Sequence, residues 1–198
     1  MPINEYKNIV CEIGALLHNR NMIAGGAGNI SFRAADGTIW ITPAGVDKWR
    51  LTPDMLLHVN SKGQVLSGIG KPSSEIKLHL AFYSQRVDVQ AVVHAHPQIA
   101  TAITVADMQF ENKIITESLS VLGEVVTAPY GTPSTDKVVQ GMLPLMAEHQ
   151  VILMAHHGAV AVGLDLWQAY NRMETLEHTA KTYFYAKLLG LAETFGQD

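Results

Sequence analysis

Residues 91–97 read Ala91-Val92-Val93-His94-Ala95-His96-Pro97, an apolar run of strand length that ends on two histidines and is stopped by a proline. Side chains two apart on a strand point to the same face, so His94 and His96 are aimed at one point. Pro97 has no N–H for a ladder and closes the strand there, which puts the pair at a strand end where a site can open to solvent. The strand itself is expected over Val89 to Ala95.

On its N-terminal side, Ile9, Val10, Ile13, Leu16 and Leu17 recur at helical spacing and predict an amphipathic helix from about Asn4 to Asn19 or Arg20. A glycine loop, Ala24-Gly25-Gly26-Ala27-Gly28-Asn29, then feeds two strands, Ile30 to Arg33 and Thr38 to Thr42, around an Asp36-Gly37 turn. Two more short strands are expected at 56–59 and 65–66. Ser73 or Ser74 caps a helix running to about Gln85.

On its C-terminal side, Ile99 to Val105 reads as a short helix, while Lys113 to Ile115 and Glu124 to Thr127 read as extended. Ser134 is placed to cap a helix carrying Val138, Val139, Met142, Leu143 and Met146, followed by a buried strand Val151 to Ala155. A long helical stripe from Leu166 reaches about Leu189. Strands interrupted by helices, with hairpin signals among them, favour an α/β sandwich whose sheet is largely antiparallel.

A catalytic zinc site takes three protein ligands and leaves a position for water or substrate, so a third ligand is needed beyond His94 and His96. His156-His157-Gly158, at the end of the strand Val151 to Ala155, is the natural source. Adjacent residues on a strand face opposite ways, so at most one of His156 and His157 can join, and the spacing does not say which. A lone histidine is more often a satisfied core or surface residue; a His-x-His at one strand end with a histidine at another reverses that expectation. His18, His58, His79, His149 and His178 are assigned no role.

Glu75 follows Ser73-Ser74 at the start of the expected helix. Plain capping by the helix dipole is one reading of it; a carboxylate close to a divalent metal can also ligate, or act as a base. Gly28-Asn29, Thr42-Pro43-Ala44-Gly45 and Lys71-Pro72-Ser73-Ser74 supply backbone N–H groups, hydroxyls and an amide suited to a phosphate. The glycine loop fits neither a P-loop nor a dinucleotide fingerprint.

The bulk numbers exclude other classes. At 198 residues, 47% hydrophobic and 16% charged, the chain is expected to form one globular domain. A net charge of -4, with acids and bases dispersed, gives no field for nucleic acid or an anionic membrane. A lone cysteine, Cys11, and a start without a basic-then-apolar segment predict a reducing, cytoplasmic location. No apolar run approaches a membrane span.

Taken in order, Gly26-Ala27-Gly28-Asn29-Ile30-Ser31, Ile41-Thr42-Pro43-Ala44-Gly45, Lys71-Pro72-Ser73-Ser74-Glu75, Val92-Val93-His94-Ala95-His96 and His156-His157-Gly158 resemble the class II aldolase/adducin-head family, from the first helix to about Leu189. The resemblance implies a three-layer αβα sandwich with a mainly antiparallel central sheet, spanning residues 1–198 as one domain. It also implies a homotetramer with active sites at subunit boundaries. By that likeness Zn2+ is held by His94, His96 and His157, although the same donors suit other divalent transition metals. Glu75 is the acid/base carboxylate, able also to touch zinc. Gly28, Asn29, Thr42, Gly45, Ser73 and Ser74 are the phosphate-binding positions.

The chemistry so implied is that of a lyase: cleavage of a small ketose 1-phosphate to dihydroxyacetone phosphate and an aldehyde. The same scaffold serves sugar-phosphate epimerases, methylthioribulose-1-phosphate dehydratases and keto-acid-phosphate decarboxylases, and in the adducin head it is a non-catalytic structural module. Glutamate at 75 speaks against the first two, and retention of the histidines against the last. Two departures stand out: Ala44 sits where a threonine hydroxyl is common, and Lys113 to Ser118 lacks the tyrosine a neighbouring subunit would supply. Glu117 and Tyr130 are the alternative acids by position.

Overall fold

The computed structural model describes residues 1–190; residues 191–198, within the span expected above, lie outside the described residues. Its first half runs α1 (Ile3–Asn19), β1 (Asn29–Arg33), β2 (Ile39–Ile41), β3 (Leu57–Val59), β4 (Val65–Ser67), α2 (Ile76–Gln85) and β5 (Ala91–Ala95). The second half runs α3 (Gln98–Val105), α4 (Thr116–Leu122), β6 (Val126–Ala128), α5 (Asp136–Met146), β7 (Val151–Met154), β8 (Gly158–Gly163) and α6 (Leu166–Leu188).

The eight strands form one sheet in the order β4-β3-β2-β1-β5-β8-β7-β6. Every neighbouring pair is antiparallel except β6 with β7. The histidine strand β5 lies in the middle, paired with β1 through Asn29↔His94 and with β8 through Ala95↔Ala159. The register thus brings the glycine loop before β1, the end of β5 and the start of β8 together at one end of the central strands.

Alternation along the central strands explains why they read as continuous apolar runs. Ala91, Val93 and Ala95 of β5, Leu153 of β7 and Ala159 and Ala161 of β8 join one core, with Val10, Ile13 and Leu17 of α1, Ile103 of α3 and Met173 and Leu176 of α6. Val92, Ile152, Met154, Val160 and Val162 face the other way, into a second core with Leu78 and Phe82 of α2 and Val138, Met142 and Met146 of α5. Both faces are covered, giving three layers. Among the described residues no helix is long and apolar enough to cross a membrane.

Four local expectations are corrected. Gly158–Gly163 is a strand, so the sheet has a central member not anticipated from its glycines and alanines. Thr116–Leu122 forms helix α4, and Lys113 to Ile115 is not a strand. The cap of α5 is Thr135, whose hydroxyl accepts from Lys137 N, and not Ser134. The strand expected from Val89 begins only at Ala91.

Candidate metal centre

Two different backbone devices deliver the three imidazoles. His94 is the fourth residue of β5; His96 lies just past the strand, its N–H donating to Met22 O at 2.8 Å. His156 and His157 sit in the turn joining β7 to β8, closed by His157 N donating to Met154 O at 3.0 Å, with His156 at φ 57°. A positive φ at that third turn position turns the chain abruptly, so strand alternation does not govern which histidine faces the site. The His157 ring stands 4.9 Å and 5.1 Å from those of His94 and His96. His156 instead packs edge-on to Tyr130, and its N–H donates to the buried Thr104 hydroxyl at 3.1 Å.

Gly158 makes this approach possible. A β-carbon there would collide with the carbonyl oxygen of Ala95 and lie 2.8 Å from His96 Cδ2. The glycine after His157 therefore lets β8 press against β5 beneath the rings.

One nitrogen of each ring falls within 4.8 Å of the others, an arrangement that could hold a metal ion. The Nε2 atoms of His94 and His96 are 3.1 Å apart. Two nitrogens bound tetrahedrally at zinc–nitrogen lengths would be about 3.3 Å apart. His94 Nδ1 lies 2.9 Å from Ala159 O and donates to it, which fixes the tautomer and leaves the Nε2 lone pair for an ion. Burial drives the pKa of all three rings down, helped at His94 by its neighbours; His96 falls to about 4. Glu75 works the other way on His157, a sign that its charge lies nearby. Three neutral imidazoles are the protonation state a divalent transition ion requires, so the donor set fits.

The rings open into a cavity of about 200 Å³ that is also lined by Gly28, Asn29, Gly45, Ser73, Ser74 and Glu75. Nine of the ten residues singled out from sequence thus meet at one place; Thr42 does not line it. Thr42 is fully buried, its hydroxyl accepting from Ile30 N at 3.2 Å and its carbonyl from Ser73 N at 3.1 Å, so it clips the serine segment to the glycine loops. Gly28, at φ 72°, has no room for a side chain beside Ile23 and the carbonyl of His94.

Glu75 occupies the first position before α2 without capping it. Its Oε1 accepts from both the N–H (2.6 Å) and the hydroxyl (3.2 Å) of Ser134, which reaches it at φ 63°. The cap expected at Ser73 or Ser74 is therefore corrected: no side chain caps α2, and the Ser73 hydroxyl accepts instead from Glu75 N at 3.3 Å, fixing the turn that leads into the helix. Of the two alternative acids, Glu117 lines a separate cavity with Arg20, Glu174 and His178, and Tyr130 is 60% exposed beside His156.

Sequence reasoning missed Ser134 and also Lys48. The Lys48 ammonium, in the short 3-10 turn Lys48–Arg50, belongs to a residue only 1% exposed and donates to Gly26 O (2.9 Å) and Val46 O (2.6 Å). Among the described residues it is the one lysine or arginine lining the cavity, and burial lowers its pKa to about 8.

Comparisons with known proteins bear on the family and the fold. The family model described as Class II Aldolase and Adducin N-terminal domain matches residues 8–184. A 3-oxo-tetronate 4-phosphate decarboxylase of Escherichia coli O6:H1 is 36% identical over 87% of this chain and 83% of its own length. A 5-deoxy-D-ribulose 1-phosphate aldolase of Bacillus thuringiensis serovar kurstaki is 28% identical over 100% of this chain and 93% of its own. The crystal structure of an L-fuculose-1-phosphate aldolase from Thermus thermophilus superposes with a TM-score of 0.84 at 31% identity, covering 96% of this chain and 98% of that one.

Proposed function

This chain belongs to the Class II Aldolase and Adducin N-terminal domain family, and from that premise we propose that it is a metal-dependent lyase, cleaving a small ketose 1-phosphate of the L-fuculose 1-phosphate kind to dihydroxyacetone phosphate and an aldehyde. The observation that carries the reading is the meeting of His94, His96 and His157 with the carboxylate of Glu75 and a donor-lined recess in one cavity. The histidines hold Zn2+ or a similar divalent ion, which when bound supplies Lewis acidity against the negative charge that develops on the carbonyl oxygen.

The chain's own groups do the rest. The phosphate sits against the backbone of Gly28 and Gly45, the amide of Asn29 and the hydroxyls of Ser73 and Ser74, with Lys48 countering its charge. Held at that end, the sugar presents its reacting carbon to Glu75. As the bond breaks, the hydroxyl on the departing carbon gives up its proton to solvent and becomes the aldehyde carbonyl, while Glu75 in its protonated form delivers a proton to the carbon left behind; in the synthetic direction Glu75 removes that proton from dihydroxyacetone phosphate. Ser134 keeps one carboxylate oxygen occupied, so the other is the one free for transfer. By family likeness the chain assembles as a homotetramer with the site completed at a subunit boundary, where exposed Tyr130 stands close to the turn bearing His157.

A second reading is favoured by the 36% identity to the decarboxylase. Loss of carbon dioxide from a phosphorylated 3-oxo acid also breaks a bond next to a carbonyl and asks the same of Glu75, namely protonation of the carbon left behind. One experiment separates the two: incubate the zinc-loaded protein with ketose 1-phosphates and with 3-oxo-tetronate 4-phosphate, trapping aldehyde and carbon dioxide. A trapped aldehyde supports the aldolase; carbon dioxide alone transfers the assignment to the decarboxylase.

A further inference from the structure

Beneath the cavity, four side chains form one line of hydrogen bonds. Tyr83 Oη meets Ser31 Oγ at 2.7 Å, Ser31 Oγ meets His79 Nδ1 at 2.6 Å, and His79 Nε2 meets Asn29 Oδ1 at 2.5 Å. Ser31 and His79 are fully buried, Asn29 and Tyr83 nearly so. Asn29 alone of the four lines the cavity.

Such a line can be polarised in either direction, and counting its hydrogens decides between them. With Tyr83 donating to Ser31, Ser31 donates to Nδ1 of His79 and the Nε2–H donates to Asn29 Oδ1. Every hydrogen is used, and the amide NH2 of Asn29 is left for the cavity. In the reverse direction Asn29 would donate to Nε2 and present its carbonyl to the cavity. Nδ1–H would donate to Ser31, Ser31 to Tyr83, and the buried Tyr83 O–H would have no acceptor among the described residues. A buried donor without a partner forfeits the full desolvation cost of that group, so the first direction wins.

Two further features agree. The Arg33 guanidinium lies over the Tyr83 ring, 4.8 Å from its centroid, which favours the phenol as donor over acceptor. Burial takes the pKa of His79 down to about 3, so the ring is neutral and carries a single N–H.

We propose that His79 is a positioning residue: driven by the Tyr83–Ser31 donor line, it locks Asn29 with the amide NH2 toward the cavity, making Asn29 a donor to an oxyanion such as phosphate. The inference rests on the reading of that recess as the phosphate site and adds how its polarity is set. A recess so locked discriminates against groups that must donate at that point, such as an ammonium. Ser31 and Asn29 lie two apart on β1, His79 and Tyr83 four apart on α2, so the line also ties the sheet to the helix whose start carries Glu75.

Two measurements test it. In the zinc-loaded protein labelled with nitrogen-15 at histidine, His79 is expected as the Nε2–H tautomer; the Nδ1–H tautomer overturns the proposal. In titrations with inorganic phosphate, His79→Leu is expected to weaken binding about tenfold with zinc content retained. His79→Gln, whose amide nitrogen can still donate to Asn29, should stay within about threefold of the unaltered protein. The proposal is overturned if the His79→Leu protein binds phosphate as tightly as the unaltered one, or if His79→Gln weakens binding as much as His79→Leu does. Neither readout uses the bond-breaking reaction, so failure of every phosphorylated substrate would strike the functional reading and leave the tautomer result standing.

Discussion

Ser134 donates twice to one oxygen of Glu75, through its N–H at 2.6 Å and its hydroxyl at 3.2 Å. The carboxylate is thereby oriented from the far side of the cavity, by the loop between β6 and α5. Glu75→Gln should keep zinc and fold yet cut proton exchange into dihydroxyacetone phosphate by about 10²–10⁴-fold. Ser134→Gly keeps the N–H and suits the positive φ, so it should cost only a few-fold in rate. Exchange measured in deuterated water reads both, and undiminished exchange in the Glu75→Gln protein would remove Glu75 from the mechanism.

Gly158→Ala is expected to do more harm than the size of a methyl group suggests. The added carbon meets the Ala95 carbonyl and the His96 ring, neither of which can yield without moving β5 or a candidate ligand. Overpacking of this kind costs about 1–3 kcal/mol. Competition with a chelator should show zinc affinity falling about 10–100-fold. Retention of full affinity would mean the hairpin relaxes away from β5.

His156 and His157 should separate cleanly. His157→Ala removes one of the clustered nitrogens and should lose stoichiometric zinc. His156→Gly places a residue at ease with φ 57° where a strained one stood, and should retain zinc and stability within about 1 kcal/mol. Metal analysis and thermal unfolding of the two proteins give the answer.

These cases show how much of the site could be read in advance. His94 and His96 were legible because strand periodicity alone pairs them. The choice of His157 over His156 was not, because both lie in a turn where that periodicity ends. The central strand Gly158–Gly163 escaped because a run of glycine, alanine and valine covered on both faces has no polar alternation to mark it. Ser134 and Lys48 act across long sequence separations, through a left-handed loop residue and a buried turn that no local pattern distinguishes from exposed ones. Assembly into a tetramer rests on likeness to the family.

Acid should destabilise the metal-free protein through His79. Its folded pKa, about 3, lies below the ordinary 6.5, so as pH falls through 6.5 the unfolded chain takes up a proton that the folded one refuses. Stability is fully present above about pH 6.5 and declines toward pH 3. From this residue alone the loss should be about 2 kcal/mol at pH 5. Urea unfolding of the chelated protein at pH 7 and pH 5 measures it, and His79→Gln should flatten the difference by about that amount; an unchanged slope would place the acid sensitivity elsewhere.

Lys48 offers the sharpest separation of stability from function. A buried ammonium answered by two carbonyls, with the neighbouring Asp47 charge offsetting only part of its desolvation, is costly, as its lowered pKa of about 8 records, and replacing such a charge by an apolar side chain is often neutral or stabilising. Lys48→Met should therefore unfold within a few degrees of the unaltered protein. The same change removes the cavity's lysine, and affinity for inorganic phosphate should fall at least about tenfold. Calorimetric titration with phosphate, beside a thermal melt of each protein, distinguishes the outcomes. A large drop in stability with unchanged phosphate affinity would make Lys48 a tie between the two glycine loops and leave the substrate's charge to be met by backbone and hydroxyl donors.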